Sequence, residues 1–367
     1  MNSSYKNRGR SDYLLMVLVF ILIAFGLVMI YSVSKYLSLQ VTDQASDKYF
    51  LVRQFWSLGF GLLVWIFFQV VDFHLWRKNS GVMLFITFLL LASVFIFGKT
   101  GSSDRWINLF GVGFQPSEFA KLTLIFYLSG WLSNRKNQEE IDKTFIPFVV
   151  IMSAISVLML VQKDLGTLSI ILVIAAAIYI SAGAKISNIL LAGSFGVFLL
   201  WLAIKIEPYR LQRLTAFFNP GANTLTTSYH IQNALIAVGS GGLFGLGFGQ
   251  SKQKFLYLPE AHTDSIFPII VEELGFLRSS VVVLIYCIIA YRGFRIAQNA
   301  PDNFSRLVAV GVTTWIIWQA FINLASMLAI VPMTGVPLPF ISYGGTSLIA
   351  FLAGVGVLLN ISKHTVD

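Results

Sequence analysis

The sequence predicts an all-α integral membrane protein, a polytopic bundle of about ten transmembrane helices with a large extracytoplasmic loop between the seventh and the eighth. Three observations carry that prediction. The first is composition: 56% of the 367 residues are hydrophobic and 12% charged, whereas soluble domains carry about 25% charged residues. With 32 Phe and 8 Trp to bury, lipid is the fitting solvent. The second is a recurrence of uncharged runs near the ~20 residues that cross a hydrocarbon core. The third is the placement of Lys and Arg, which alternates between dense and sparse connections. The same composition excludes a soluble globular enzyme, a disordered chain, a collagen-like repeat and a coiled coil.

Uncharged runs at 13–34, 54–71, 79–98, 144–162, 165–184 and 186–204 supply six spans. The first follows Lys6, Arg8 and Arg10 as a signal peptide would. Its apolar run is too long for one and ends without a small-residue cleavage site, so it reads as a retained helix. Two spans carry charges: 116–133 with Glu118 and Lys121, and 264–291 with Glu272, Glu273 and Arg278. The stretch 307–362 is uncharged but too long for one crossing. Pro332, Pro337, Pro339, Gly344 and Gly345 interrupt it, which predicts two helices around a broken, re-entrant segment at 332–345. One domain results, with helices one to seven in 12–204, the loop in 205–263 and helices eight to ten in 264–362. Placing the N-terminus in the cytoplasm puts thirteen Lys and Arg on that side against six in the short outer loops. The positive-inside rule then predicts both termini in the cytoplasm, and the net charge of +9 reports topology rather than nucleic-acid binding.

The loop 205–263 is longer than a connection needs, which marks it as functional. Within it Ile231, Ala234, Leu235 and Val238 form a helical face suited to a membrane surface. The following GSGGLFGLGFGQS, 239–251, lacks the GK[ST] ending of a P-loop and follows no strand, which argues against nucleotide binding. The lone Cys287 excludes a disulfide within the chain, the four histidines have no zinc spacing, and no GxSxG element is present.

Ionisable groups in or beside spans mark functional sites by default. Glu118 and Lys121, at i and i+3, can pair on one helix face. Asp164, in QKDLGT, lies where two spans meet and can cap the second. Glu272 and Glu273 fall about two turns into their span, where cation binding and pairing with Arg278 both stay open. Asp264, in YLPEAHTDSIF with His262 and Thr263 beside it, sits where a polar loop re-enters an apolar helix. It is exposed enough to meet a substrate and close enough to lipid to be partly desolvated. Arg210 and Arg213, three apart, form a two-guanidinium patch suited to phosphate or pyrophosphate. Lys252 and Lys254 add outward cations.

In order along the chain, QPSEFAK at 115–121, QKDLGT at 162–167, YHIQNALIAVGSGGLFGLGFGQSKQKFLYLPEAHTD at 229–264, EELGF at 272–276, FIN at 321–323 and GVPLPFISYGGTS at 335–347 resemble the SEDS family (shape, elongation, division, sporulation). This is the family of FtsW, RodA and SpoVE, and RLTAFFNP and SKQKFLYLPEAHTD are closer to FtsW than to RodA. The resemblance spans 12–362. It implies a ten-helix peptidoglycan glycosyltransferase polymerising lipid II at the outer face of the cytoplasmic membrane, in division or elongation. The implied partners are a class B penicillin-binding transpeptidase and other division or elongation proteins. The essential aspartate of the family's HTD motif falls on Asp264, which the resemblance implies is the general base. Glu118, Lys121 and Asp164 shape a polar cavity, and His262, Thr263, Lys254 and Ser342 fall among the substrate or cavity positions. Arg210, Arg213 and a divalent cation, Mg²⁺ or Mn²⁺, are candidate partners of the leaving pyrophosphate; no organic cofactor is expected. Three departures stand out: Lys163 for a common Pro, Arg278 for a usual Gly, and Ser265 for the common aromatic after HTD. Two other readings stay open, a flippase of the lipid-linked precursor and a non-catalytic scaffold of the wall machinery.

Overall fold

Asp12 accepts a hydrogen bond from the Leu15 amide at 3.0 Å and so caps α1 (Tyr13–Val41). From there the computed structural model describes residues 9–98, 105–109, 112–135, 138–206, 211, 215, 217, 218, 227–255 and 257–365. Helices α2 (Tyr49–Val70) and α3 (His74–Phe97) follow, then a hairpin of β1 (Ile107–Leu109) and β2 (Val112–Phe114), antiparallel with Ile107 opposite Phe114. This hairpin is an addition to the all-helical expectation. Pro116, whose missing N–H costs nothing at a helix start, opens α4 (Pro116–Leu132). Next come α5 (Gln138–Asp142), α6 (Phe145–Val161), α7 (Leu165–Ser181), α8 (Ile186–Ile206), α9 (Thr227–Gly241), α10 (Ile266–Gln298), α11 (Asn303–Met327) and α12 (Gly345–Ser362). Asp302 and Ser305 form a capping box at the start of α11.

Seven of the described spans are long and apolar enough to cross a membrane by length and composition, and α7 is a shorter apolar helix. Their alternation can be read from contacts between distant ends. At the end holding the N-terminus, Arg292 pairs with Asp12 at 2.7 Å, the Asp12 amide donates to Ser362 Oγ, Lys185 pairs with Asp142, and His74 bridges to Asp302. At the other end, Arg105 meets Asp164, and the Gly344 amide donates to Gln54. Ten crossings, α1 to α4, α6 to α8 and α10 to α12, satisfy both sets. Burial separates centre from periphery: the apolar window of α12 is 89% buried and that of α2 22%. Trp56, Phe60, Leu63 and Ile66 of α2 are accordingly exposed, a liability in water and the required surface in lipid.

Non-helical backbone at membrane depth must find partners inside the protein, and two segments do so. The re-entrant stretch 328–344 is met by side chains: Asn323 Nδ2 donates to Val336 O at 2.7 Å, Gln319 Nε2 to Pro337 O at 3.0 Å, and Tyr286 Oη to Pro339 O. It lies so close to α1 that a Cβ on Gly26 would sit 2.7 Å from Ile341 Cα. The glycine-rich stretch is met by backbone. Gly275 (φ 81°, ψ 171°) breaks α10, which frees two carbonyls and two amides. Leu246 N and Gly247 N donate to Glu272 O and Glu273 O, while Phe276 N and Leu277 N donate to Gly242 O and Leu243 O. A Cβ on Gly275 would come 2.3 Å from Gly245 N. Gly275→Ala is therefore expected to cost more than about 2 kcal/mol, through the left-handed φ and the overlap together, read as a lowered unfolding temperature in detergent. The sequence places the face of 229–238 on the membrane surface. Instead Ile231 and Ala234 are buried, Ile231 against Met327 and Met333, because α9 packs on protein that only the tertiary fold brings beneath it.

Candidate active site

The segment 257–265 leads into α10, and Asp264 stands immediately before the N-cap residue Ser265. Asp264 is 9% exposed. Oδ1 accepts from Thr263 Oγ1 at 3.3 Å and from Ser265 Oγ at 3.4 Å, while the Asp264 carbonyl accepts from Asn323 Nδ2 at 2.8 Å. Oδ2 faces Gly335 (φ 69°), where a Cβ would lie 3.6 Å away. Burial pushes the Asp264 carboxyl up, Glu260 adds to this, and hydrogen bonds to Thr263 and Ser265 oppose it, leaving it at about 6. This is the range in which a carboxylate serves as a base near neutrality. His262 packs at a tilt against Phe50 (4.5 Å between centroids) and Tyr343 (5.3 Å), and its carbonyl accepts from Tyr343 N at 2.9 Å. Burial pulls its imidazole down, opposed by Glu260, and Nδ1 is buried without a hydrogen-bond partner. Thr263 Oγ1 is shared with Glu260 O and Oε2 at 3.0 and 3.1 Å.

Asn323 links the Asp264 backbone to the re-entrant segment, and Gln319, one turn along α11, links that segment to α4. Lys121 Nζ donates to Gln319 Oε1 and to Glu118 Oε1, both at 2.8 Å, with Trp315 Nε1 donating to the same Gln319 oxygen at 3.0 Å. The ammonium also lies 5.0 Å from the centroid of Trp315, a cation–π distance. Lys121 is 0% and Glu118 1% exposed, and Glu118 Oε2 has no partner. The pairing read from i, i+3 spacing is present, and its hydrogen-bond link across to α11 was not legible in one helix.

Asp164 caps α7, accepting from Thr167 N at 3.2 Å, and also meets Arg105 at 3.1 Å and Gln115 at 3.4 Å. It sits beside the re-entrant segment, since a Cβ on the nearby Gly166 would be 2.8 Å from Thr334 O. Asn caps as well as Asp, so Asp164→Asn is expected to cost at most about 1 kcal/mol, while Asp164→Ala loses cap and ion pair together, about 2 kcal/mol. Thermal unfolding of the two variants checks the order.

Elsewhere the structure decides between alternatives. Glu273 pairs with Lys254 at 3.0 Å, and Glu272 accepts from the Lys252 amide at 3.1 Å and from Ser251 Oγ. Neither pairs with Arg278, which reaches Phe244 O. Lys254 is thereby held in the glycine-rich stretch rather than beside Asp264. Ser342 Oγ accepts from Leu338 N at 2.9 Å and closes the turn of the re-entrant segment. Arg210 and Arg213 lie outside the described residues. A mostly apolar cavity of about 260 Å³ lies between α6, α7 and α8, lined by Phe148, Met152, Leu172, Tyr179 and Gly193 among others. Sequence reasoning missed Gln319, which is joined to Lys121, and passed over Asn323 as part of a motif. Their signal was available as two amides at i and i+4 in an otherwise uncharged span, where polar side chains hydrogen-bond between helices.

The family model FTSW_RODA_SPOVE, described as cell cycle protein, matches residues 12–367. Stage V sporulation protein E of Bacillus subtilis (strain 168) is 38% identical over 359 residues, covering 96% of this chain and 97% of that protein. A probable peptidoglycan glycosyltransferase FtsW of Geobacter sulfurreducens is 36% identical over 366 residues, 98% of this chain and 97% of its own. Among solved structures, a chain of a peptidoglycan synthase complex that coordinates polymerization and crosslinking matches with TM-score 0.78 at 27% identity, over 96% of this chain and 98% of that one. The rod shape determining protein RodA of Thermus thermophilus matches with TM-score 0.72 at 27% identity, over 97% of this chain and 98% of its own.

Proposed function

Since the chain belongs to the FtsW, RodA and SpoVE family of cell cycle proteins, we propose that it is a peptidoglycan glycosyltransferase polymerising lipid II, with Asp264 as general base. The observation that carries the reading is Asp264 itself: a residue 9% exposed, its carboxyl raised to about 6, at the end of a polar network buried in a multi-pass membrane protein. The 4-hydroxyl of the acceptor sugar gives its proton to Asp264, its oxygen bonds to the anomeric carbon of the lipid-linked donor, and the bond to the polyprenyl pyrophosphate breaks. Pyrophosphate is a good leaving group, so beyond the base the reaction asks chiefly for positive charge, a role for Arg210 and Arg213. Among the described residues no three His, Cys, Asp or Glu side chains converge as a metal site. A Mg²⁺ or Mn²⁺ ion would therefore rest mainly on substrate phosphates and water, as Mg²⁺ commonly does, where it would neutralise charge on the leaving group. Sidedness follows from the positive-inside count, with both termini in the cytoplasm and Asp264 at the outer face of the cytoplasmic membrane. The match to a chain of a synthase complex supports a class B penicillin-binding transpeptidase as partner.

The test is glycan polymerisation from lipid II by the purified full chain, with and without that transpeptidase and with Mg²⁺, Mn²⁺ or chelator. Polymer formed by wild type and lost in Asp264→Ala is the expected result. No polymer in any arm, with lipid II instead crossing liposome bilayers, would overturn the reading in favour of a flippase.

A further inference from the structure

Ser265 stands directly after Asp264 and occupies the N-cap of α10. An N-cap serine normally accepts a hydrogen bond from an amide in the first turn. Here the side chain makes no such bond. It is 0% exposed, donates to Asp264 Oδ1 at 3.4 Å, and lies 2.7 Å from Nε2 of His230, which arrives from α9. A hydroxyl carries one hydrogen. With that hydrogen on Asp264, Ser265 accepts from His230, so the imidazole carries its proton on Nε2. The chain of donors runs from His230 through Ser265 to Asp264.

This arrangement makes the two oxygens of Asp264 unequal. Oδ1 receives Ser265 and Thr263, and the Thr263 hydroxyl is shared with Glu260, so Ser265 is the donor tied to a second helix. Oδ2 faces Gly335, the glycine of the re-entrant segment that leaves room beside it. We propose that His230, acting through the Ser265 hydroxyl, is a positioning residue that holds Oδ1 of Asp264 and presents Oδ2 to the acceptor hydroxyl. The inference rests on the glycosyltransferase reading above. In the step it supports, the acceptor O–H proton goes to Oδ2, the oxygen's electron pair forms the new bond to the anomeric carbon, and the electrons of the broken bond leave with the pyrophosphate. His230 neither gains nor loses a proton.

The experiment measures kcat and KM for lipid II polymerisation by the full chain in wild type, His230→Leu, Ser265→Ala, the double variant, His230→Gln and Ser265→Thr. Misplacing a base by a fraction of an ångström is expected to lower kcat by about ten- to a hundredfold in His230→Leu and in Ser265→Ala, with KM within about twofold. Because both act through one bond, the double variant is expected to lose no more than either single one. Gln carries an amide donor and Thr keeps the hydroxyl, so both conservative variants should recover to within about threefold of wild type. That recovery separates positioning from packing, and it keeps the test decisive if His230→Leu folds poorly. A wild-type kcat in His230→Leu, losses that multiply in the double variant, or no recovery in Gln and Thr would overturn the inference while polymerisation by wild type still stands. If wild type itself forms no polymer, the glycosyltransferase reading fails and this inference falls with it.

Discussion

Replacing Asp264 with Asn is expected to abolish polymerisation and at the same time to raise the unfolding temperature. Loss of a positioned base costs about 10²- to 10⁴-fold in rate, and the amide keeps an oxygen to accept from Thr263 and Ser265. The stability gain follows from the same burial that raises the Asp264 carboxyl. Its carboxyl titrates at about 6 in the folded protein, above its ordinary 3.8, so the fold favours the protonated form. Stability is complete below the unfolded value and is lost as pH rises through 6. At neutral pH the ionised group therefore costs about 3 kcal/mol relative to a neutral one, which Asn relieves in part or whole. Thermal unfolding in detergent at pH 8 should favour Asp264→Asn, and the difference should vanish below about pH 4. Wild-type polymerisation should rise with pH through about 6. An Asn variant that is active, or less stable than wild type at pH 8, would remove Asp264 from the role of base.

The second large effect is expected at Lys121. Removing its charge in Lys121→Met leaves the Glu118 carboxylate 1% exposed without its cation and takes a donor from Gln319 Oε1. Breaking a buried pair from one side costs about 3–5 kcal/mol, whereas replacing both partners with neutral groups of similar volume is close to neutral. The double variant Glu118→Gln/Lys121→Met should therefore unfold near the wild-type temperature while Lys121→Met falls well below it. Because Gln319 also donates to Pro337 O, the single variant should speed hydrogen exchange in the re-entrant segment. Equal melting of the single and double variants would show that the pair contributes no coupling.

These effects differ in how far they could be anticipated from the chain alone. Asp264 stood out because it ends a long polar loop at the entry to an apolar run, with Glu260, His262 and Thr263 beside it. The re-entrant break was legible because Pro337, Pro339, Gly344 and Gly345 interrupt an uncharged stretch too long for one crossing. The role of Glu273 was not, since its cation, Lys254, competes in sequence with Arg278, which is nearer. The glycine-rich stretch was legible as unfit for nucleotide. Its docking into the gap at Gly275 required knowing that α10 breaks there and leaves four backbone groups to be met.

By itself the sequence determined the solvent, the number of crossings, the break at 332–345 and the acids worth attention. Each of these depends on hydrophobicity, charge or backbone freedom over a few neighbouring residues. Only the tertiary structure decided which partner each buried polar group has: Lys121 with Gln319, Asp164 with Arg105, Asp264 with Asn323 and, through Ser265, with His230. In an apolar interior a polar group must be met by whatever neighbour the packing supplies, and which helices become neighbours is a property of the whole bundle.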